Sequence, residues 1–330
     1  MANTSELDER PLRFPLTSRR RQVWLVSAIG LLLALIGILL SWNDPQIGAP
    51  LKPGLDFTGG TQIQLERRCA DQCDQLGTVA IETTLQQIKL PPQQGQSLPK
   101  LENARVQLLD QGQSVVLRMP ALSAGQGQAV IEALEPVAGP FEAGGQSVDT
   151  IGPSLGGQLL RSSLISLLVA FTGIALYITV RYDRRYALLA LVALAHDIVI
   201  VCGVFAWLGL ATGLEVNSLF AVALLTIAGY SVNDTVVVFD RIRERQREDA
   251  DLSLSVQVDR AVSATLTRTL YTSGTTLLPL LALILFGGST LYWFAIALAL
   301  GVVVGSWSSI ALAPSLLSVW PSPARTVSSA

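Results

Sequence analysis

The sequence is poor in the residues from which metal centres are built, with one histidine and three cysteines among 330 residues. A zinc site needs about four ligands close together, and the histidine, His196, lies in an apolar stretch far along the chain from Cys69 and Cys73. The sequence also lacks a phosphate-binding loop, a catalytic triad signature and a dinucleotide-binding glycine motif. These absences argue against a zinc protein, an ATPase and a hydrolase, and we expect no enzymatic activity, no bound cofactor and no nucleic-acid partner.

Charge is also scarce, because charged residues make up 15% of the chain whereas hydrophobic residues make up 50% and the mean hydropathy is +0.47. This composition is too apolar for an ordinary soluble domain and favours a membrane protein. A helix needs about 20 apolar residues to cross a hydrocarbon core about 30 Å thick. Four windows have that length, and a fifth, longer stretch breaks at a turn-like segment, 286–290, so the sequence predicts six spans. The windows are 23–42, 164–180, 187–210, 219–239 and, for the last two spans, 270–320.

Arginine-rich segments alternate along the chain with short loops that contain no Lys or Arg. The arginines cluster at 19–21, 181–185 and 241–247, whereas 211–218 and 287–290 have no basic residue. Because positively charged short loops stay in the cytoplasm, we expect all three clusters and both termini to be cytoplasmic. The first span has a longer apolar run than a signal peptide, which predicts an uncleaved anchor.

The residues between the first two predicted spans, about 115 in number, have the pattern of a small α+β domain. Period-two alternation of apolar residues marks strands, and apolar residues at helical spacing mark helices. Ser123 and Gln126 are expected to form a capping box at the start of the second helix. The order strand, helix, strand, strand, helix, strand predicts a ferredoxin-like sheet with helices on one face. The predicted strands are 61–66, 104–109, 114–119 and 141–149, and the predicted helices are 79–88 and 123–134.

The three cysteines are divided between this predicted domain and a predicted span. Cys69 and Cys73 lie four residues apart in the domain, and an oxidising compartment would allow a local disulfide between them. The spacing does not decide between that disulfide and two free thiols. Cys202 lies among Val, Ile and Gly in the third span, where we expect it to serve apolar packing.

These patterns divide the chain into an arm, six spans, one domain, one long loop and a tail. Within the long loop, apolar residues at helical spacing between 252 and 266 predict a helix lying on the membrane surface, although an ordinary connector would show the same pattern. The predicted boundaries are 1–22 for the cytoplasmic arm, 23–42, 159–180, 187–210, 216–239, 269–286 and 291–320 for the spans, 43–158 for the extracytoplasmic domain, 240–268 for the cytoplasmic loop and 321–330 for the cytoplasmic tail.

A carboxylate interrupts the fourth predicted span. Asp234 lies six residues before Asp240, where we expect the cytoplasmic loop to begin, and is therefore about 9 Å down a helix. An aspartate at that depth must be paired, protonated or both. A carboxyl held between desolvation and a nearby cation can take up and release a proton, which is the chemistry of a proton relay. The alternative is a hydrated, purely structural aspartate near the interface.

Other polar residues lie in or near the spans. His196 and Asp197 are expected about 16 Å inside the third span, near the midplane of the membrane. Because adjacent helical positions point about 100° apart, we expect that they cannot both face one narrow polar seam. Asp197 is the better candidate for a second proton-binding group. His196 either joins the relay or only packs and hydrogen-bonds. Asn233 is expected to share hydrogen bonds with whichever carboxylate is charged. Arg268 lies at the start of the fifth span. Its side chain can reach back to the cytoplasmic membrane surface, as the positive-inside rule predicts, and this alone would account for its presence.

Three stretches together resemble the SecF family of protein-export membrane proteins. They are 54–61 (GLDFTGGT) after the first span, 151–156 (IGPSLG) before the second and 229–244 (GYSVNDTVVVFDRIRE) at the end of the fourth. The resemblance covers the chain from the first span to the last and leaves out the arm, the segment around the cysteine pair and the tail. The motif residues of interest in the first two stretches are Gly54, Asp56, Phe57, Gly59, Gly60, Gly152, Pro153 and Gly156.

The resemblance implies a fold and a function. The fold is a polytopic α-helical membrane protein whose six transmembrane helices form half of a bundle like that of resistance-nodulation-division transporters, with an α+β ferredoxin-like extracytoplasmic domain. The function is protein export across the bacterial inner membrane driven by the proton motive force, with protons as the coupling ion. The implied partners are SecD, the SecYEG channel, the SecA motor, YajC and the unfolded secretory polypeptide.

In this family the aspartate of the third motif, here Asp234, is assigned to proton transfer, and an arginine at the position of Arg268 is implicated with it. Two alternatives stay open. One is an exporter of small molecules or lipids of the resistance-nodulation-division type, although such porters carry two six-helix halves and two large loops. The other is a structural scaffold for the translocase.

Overall fold

The computed structural model describes residues 15–68, 77–92, 99–101, 104–109 and 112–320. Contacts divide the chain into two compact units, one formed by Met1–Lys52 with Ile165–Ala330 and the other by Pro53–Leu164. Most of the predicted arm, the whole predicted tail and the Cys69–Cys73 pair lie outside the described residues.

Helix α1 (Arg20–Asn43) follows a 3-10 turn at Thr17–Arg19 and belongs to the helical unit. Most of its large apolar side chains are exposed, whereas its buried positions carry small residues such as Ser27, Ala34 and Ser41. These positions recur every seven residues, so they form one face of the helix. A methyl group on Gly203 would collide with Ala34, so the backbones approach closely there, as is typical of helix pairs in membranes.

The α+β unit is built on a four-stranded antiparallel sheet with the strand order β2-β3-β1-β4, which confirms the predicted ferredoxin-like arrangement. Its core lies between the sheet and two helices and includes Ile63, Leu65, Leu117 and Leu134. The elements in chain order are α2 (Leu55–Thr58), β1 (Gly60–Arg67), α3 (Thr78–Gln87), β2 (Arg105–Leu109), β3 (Ser114–Met119), α4 (Ala124–Ala138) and β4 (Phe141–Ile151).

The predicted capping box is confirmed, because Ser123 Oγ accepts from the Gln126 N–H and Gln126 Oε1 accepts from the Ser123 N–H. Helix α4 continues one turn past its predicted end and finishes at Ala138, where a buried arginine from β1 covers its last carbonyl. That side chain, Arg67, donates from Nε to the Ala138 carbonyl at 2.7 Å and from a terminal nitrogen to the Gly112 carbonyl at 2.9 Å. A cation at a helix C-terminus is favoured by the helix dipole.

Within the residues that the structure describes, the remaining helices complete a set of six that are long and apolar enough to cross a membrane. Helices α6, α7 and α9 form the centre of the helical unit, whereas most side chains of α5 are exposed. The elements are α5 (Pro153–Arg181), α6 (Arg184–Thr212), α7 (Ser218–Glu248), α8 (Leu254–Phe286), α9 (Gly288–Trp307), a π-helical turn (Ser308–Leu312) and α10 (Ala313–Leu317).

Helices α7 and α8 are longer than the sequence predicts. The expected loop start at Asp240 lies inside α7, which continues for eight residues from 241 to 248 with ion pairs three residues apart, such as Arg245 with Glu248. Most of the segment 252–266 is helical, as predicted, and it forms the first part of the 33-residue α8, with Val258 buried in the protein core. The spacing of apolar residues is the same for a helix that packs on protein and for a helix that lies on lipid, so the sequence could not distinguish the two.

Helix α5 begins earlier than predicted, at Pro153 rather than at 159. Proline is favoured at the first position of a helix because the missing N–H would have no partner there. The carbonyl of Gly152 accepts from the N–H groups of Leu155 and Gly156 at 3.0 Å, which closes the first turn. This turn belongs to the α+β unit, and the same helix continues into the helical unit.

Candidate functional site: buried carboxylates of the helical unit

Asp234 lies on the buried face of α7 and exposes only 3% of its surface. Its Oδ2 atom accepts no hydrogen bond from the part of the chain that the structure describes. Tyr230, one turn earlier, and the charge of Arg268 on α8 are the groups that act on this carboxyl. A buried carboxyl without a permanent partner on one oxygen has a free position for a proton.

Arg268 is exposed on α8, and within the described ranges no carboxylate lies within 4 Å of its guanidinium group. It acts on Asp234 through its charge rather than through a direct ion pair. The structure therefore brings Arg268 into the electrostatic environment of Asp234 while leaving its side chain outside the protein core. An exposed cation in this position can also snorkel, so the geometry is compatible with both expectations.

Asp197 on α6 is completely buried, and both of its oxygens are occupied. Oδ2 accepts from Ser231 Oγ at 2.6 Å and from Ser308 Oγ at 2.7 Å, while Oδ1 lies 2.9 Å from Nδ1 of His196. His196 is buried as well, and its Nε2 has no partner among the described residues. Although their positions point about 100° apart on the helix, His196 and Asp197 contact each other directly, which agrees with the expectation that His196 packs and hydrogen-bonds.

Asn233 is exposed and forms no hydrogen bond with Asp197 or Asp234 in the described part of the chain. The expected sharing of hydrogen bonds with a carboxylate is therefore absent from the structure. One residue corresponds to about 100° around a helix, so Asn233 lies to one side of the buried face that carries Asp234. It belongs instead to an exposed stripe of α7 with Val222, Thr226 and Gly229.

Several hydroxyl groups also belong to this site, and they were not predicted from the sequence. Thr235 Oγ1 and Ser309 Oγ lie 2.8 Å apart in a hydrogen bond that either hydroxyl can donate, and the Ser231 carbonyl lies within hydrogen-bond distance of both, at 3.0 and 3.3 Å respectively. Ser308 and Ser309 belong to the π-helical turn that follows α9. A signal was present in the sequence, since Ser231 and Thr235 are four residues apart on the buried face and two serines are adjacent in an otherwise apolar span.

The glycines of the first motif form a tight turn in the α+β unit. The Gly54 carbonyl accepts from the N–H groups of Phe57 and Thr58 at 3.0 and 3.1 Å, and the short helix α2, which contains Asp56, ends at Gly59. Gly59 and Gly60 have φ values of 68° and 127°, which favour glycine. A Cβ atom on Gly60 would also lie 2.7 Å from the Met119 carbonyl oxygen.

The first and second motifs meet in space. A Cβ atom on Gly156 would lie 2.7 Å from the backbone nitrogen of Gly59, so the first turn of α5 packs directly on the end of α2. The residues on either side also pair, because Gly60 lies opposite Ile151 in the sheet. The glycines selected from sequence therefore allow backbone to pack on backbone where the chain enters and leaves the α+β unit.

A charged and aromatic cluster surrounds Tyr182, between α5 and α6. The carboxylate of Asp240 lies 3.8 Å from Arg181 and 3.9 Å from Arg243, and both guanidinium groups lie over the Tyr182 ring. Burial raises the pKa of Tyr182 to about 12, and the Asp240 carboxylate adds to that effect. Tyr182 therefore stays neutral and serves as an aromatic platform for two cations.

Comparison with known proteins identifies related sequences over nearly the whole chain. Residues 130–322 match the family described as protein export membrane protein SecD/SecF, C-terminal, and residues 47–70 match the SecD/SecF GG motif. A protein translocase subunit SecF from Prochlorococcus marinus is 59% identical over 306 residues, which cover 93% of this chain and 95% of the relative. A SecF subunit from Synechocystis is 39% identical over 312 residues, which cover 94% of this chain and 95% of the relative.

A solved structure is also similar. The crystal structure of SecDF from Thermus thermophilus, described as a translocon-associated membrane protein, matches with a TM-score of 0.74 and 31% sequence identity. The match covers 93% of this chain but 38% of the SecDF chain. This chain is therefore similar to one part of the longer SecDF chain, whose name joins SecD and SecF.

Proposed function

The chain belongs to the SecD/SecF family of protein export membrane proteins, and we propose that it is a translocase subunit that uses the proton motive force to promote protein export. The observation that carries this proposal is the buried Asp234 carboxyl, which has one oxygen without a partner and lies within the influence of Arg268. Moving one charge through 100 mV supplies about 2.3 kcal/mol, enough to bias a conformational equilibrium.

In the proposed cycle, Asp234 takes up a proton from one side of the membrane and gives it to the other. Arg268 modulates the charge of that carboxyl, and His196 and Asp197 form the buried polar cluster beside it. Proton movement changes the conformation of the α+β unit, which grips the emerging unfolded polypeptide and prevents it from sliding back. Protons are the coupling ion, and no other cofactor takes part.

A SecD-like protein is the proposed membrane partner. Support comes from the SecDF chain of Thermus thermophilus, which is longer than this chain and joins both names in one protein. Polar Asn233 and Arg268 are exposed on apolar helices, which favours a protein neighbour over lipid. The proposal extends, through the family alone, to the SecYEG channel, SecA and YajC.

The chain is a multi-pass membrane protein with six apolar helices in its described part, and we propose that it lies in the bacterial inner membrane with both termini in the cytoplasm. The arginine clusters near the ends of α5 and α7 support this orientation. The α+β unit then lies outside the cytoplasm. Residues 1–22 and 321–330 then lie in the cytoplasm, together with the polar end of α7 and the first part of α8 between 240 and 268.

The test is Asp234→Asn, which keeps the size of the side chain and removes its ability to ionise. In membrane vesicles that contain the translocase, we expect the gradient-dependent part of export to be lost while export without a gradient continues. Asp240→Asn is the matched control, because Asp240 lies on the same helix and is exposed. Gradient-dependent export that survives Asp234→Asn would reject the proposal. Tolerance of neutral residues at Asp234, Asp197 and Arg268 together would instead favour a scaffold.

A further inference from the structure

Two buried carboxyl groups of the helical unit, those of Asp234 and Asp197, have opposite surroundings. Asp234 has an oxygen without a partner, whereas Asp197 accepts from Ser231 and Ser308 and lies against His196. A relay group has to bind and release its proton, so it needs an oxygen that is not already occupied. A carboxyl held on both oxygens by neighbours from three segments is better suited to fixing those segments relative to one another.

The segments that Asp197 joins include the turn that carries Asp234. Ser231 lies three residues before Asp234 on α7, and its hydroxyl donates to Asp197 on α6. The Ser231 carbonyl, which belongs to the same turn, lies within hydrogen-bond distance of the hydroxyls of Thr235 and Ser309, which also contact each other. Hydrogen bonds to both α6 and the π-helical turn therefore surround the backbone of residues 231–235.

Two adjacent serines of the π-helical turn contact two different partners. An α-helix that gains one residue in a turn changes the direction of the side chains that follow. Ser308 donates to Asp197, while Ser309 lies 2.8 Å from Thr235. Such turns are often found at functional sites. All these side chains are buried, so each hydrogen bond is made away from water.

From this geometry we infer that Asp197 is a positioning residue for Asp234: through Ser231 and Ser308 it holds the Asp234 turn of α7 in register with α6 and the π-helical turn. The inference rests on the proposed function, because it assigns a role around the same proton site. In this role the charge or dipole of Asp197 stays constant and fixes the local structure, whereas Asp234 exchanges protons.

Other groups also influence Asp234 and have to be kept constant in a test. They are Arg268 from α8 and Tyr230 from α7 itself. Helix α6 contributes His196 and Asp197 to the neighbouring cluster, and Ser308–Leu317 contributes no titratable side chain. Removing a serine hydroxyl changes the hydrogen bonds of the network without removing any of these groups, so it separates positioning from charge.

The experiment measures the protonation of Asp234 in the full-length chain in lipid nanodiscs. Dicyclohexylcarbodiimide modifies protonated carboxyls in apolar surroundings, and mass spectrometry of the peptide that contains Asp234 gives the labelling rate at each pH. We expect Ser231→Ala with Ser308→Ala to shift the midpoint of the labelling curve by about one pH unit, a tenfold change in proton affinity. Thr226→Ala, which removes an exposed hydroxyl from the same helix, should leave the midpoint unchanged.

A conservative replacement provides the rescue. Ser231→Thr keeps the hydroxyl donor, so its midpoint should lie closer to that of the unmodified chain than the midpoint of Ser231→Ala does. If the double variant does not fold, each serine variant is measured alone, and a shift in either one that Thr226→Ala does not show supports the inference. Serine variants that fold and keep the original midpoint would overturn it. Absence of any pH-dependent labelling at Asp234 in the unmodified chain would instead reject the proposed function.

Discussion

At the scale of single residues, the contact between Gly156 and Gly59 is the point where the two motifs of the α+β unit meet. The chain supplies a matched pair of adjacent glycines in the first turns of α5. A Cβ atom on Gly156 would lie 2.7 Å from the Gly59 nitrogen, whereas a Cβ atom on Gly157 would have nothing within 4 Å. Backbone atoms cannot move aside as a flexible side chain can, so the two positions should respond differently to the same methyl group.

We expect Gly156→Ala to destabilise the α+β unit by about 1–3 kcal/mol, the usual cost of overpacking. Gly157→Ala should instead be neutral or stabilise the helix by up to about 1 kcal/mol, because alanine favours helices over glycine. Amide hydrogen exchange of α2 and β1 in the full chain measures both effects. Equal protection in the two variants would show that the Gly59 contact does not hold the two motifs together.

The residues of the proton site were predictable to different degrees. A carboxylate within an apolar span stands out in sequence because of its cost in hydrocarbon, so Asp234 and Asp197 were identified correctly as buried polar groups. Serine costs little in an apolar helix and is common there, so Ser308 and Ser309 gave no comparable signal. Their role depends on a π-helical turn, which apolar periodicity does not reveal.

At the scale of elements, the start of α1 is fixed to the extended part of α8. The Asp259 carboxylate is buried and accepts from the Thr17 N–H at 2.9 Å and from the Thr17 hydroxyl at 2.6 Å. Leu16, just before this turn, is fully buried in the core that includes Val258. A carboxylate is favoured at a helix N-terminus, because the first N–H groups of a helix lack partners and carry partial positive charge.

Asp259→Asn should loosen this junction, since the amide keeps one acceptor oxygen but loses the charge. Charge-assisted hydrogen bonds contribute about 1.5–3 kcal/mol, so we expect a loss of that order and faster hydrogen exchange at the first residues of α1. Asp251→Asn is the control, because Asp251 is an exposed aspartate just before α8. Unchanged exchange at Thr17 in the Asp259 variant would show that the contact contributes nothing to holding α1.

Elements were predicted from sequence more completely than their junctions. Six spans and the order of strands and helices follow from apolar periodicity, which depends on local sequence alone. The length of α7 beyond Asp240 could not be predicted in the same way, because a polar helix outside the membrane and a polar loop have similar hydropathy. The packing of Val258 against the core is a long-range contact that no local pattern specifies.

At the scale of the whole molecule, the exposed faces of the helices differ in chemistry. Leu168, Leu176 and Val180 on α5 are large, apolar and exposed, as suits a helix in contact with lipid. The exposed stripe of α7 includes the polar Thr226 and Asn233. Small and polar residues allow close helix packing and hydrogen bonding in membranes, so we expect the α7 stripe to contact a partner and α5 to contact lipid.

Two glycines provide a test of that difference, because a Cβ atom on Gly229 of α7 or on Gly173 of α5 would meet none of the described residues within 4 Å. Leucine at either site should therefore leave the fold of the chain intact and favour its helix. We expect Gly229→Leu to weaken co-isolation of a SecD-like partner in mild detergent by about tenfold, about 1.4 kcal/mol, because a bulky side chain separates the two helices. Gly173→Leu should have no effect on the yield of partner. The reverse result, with loss of the partner only in the Gly173 variant, would place the interface on α5 and leave the polar stripe of α7 without a protein neighbour.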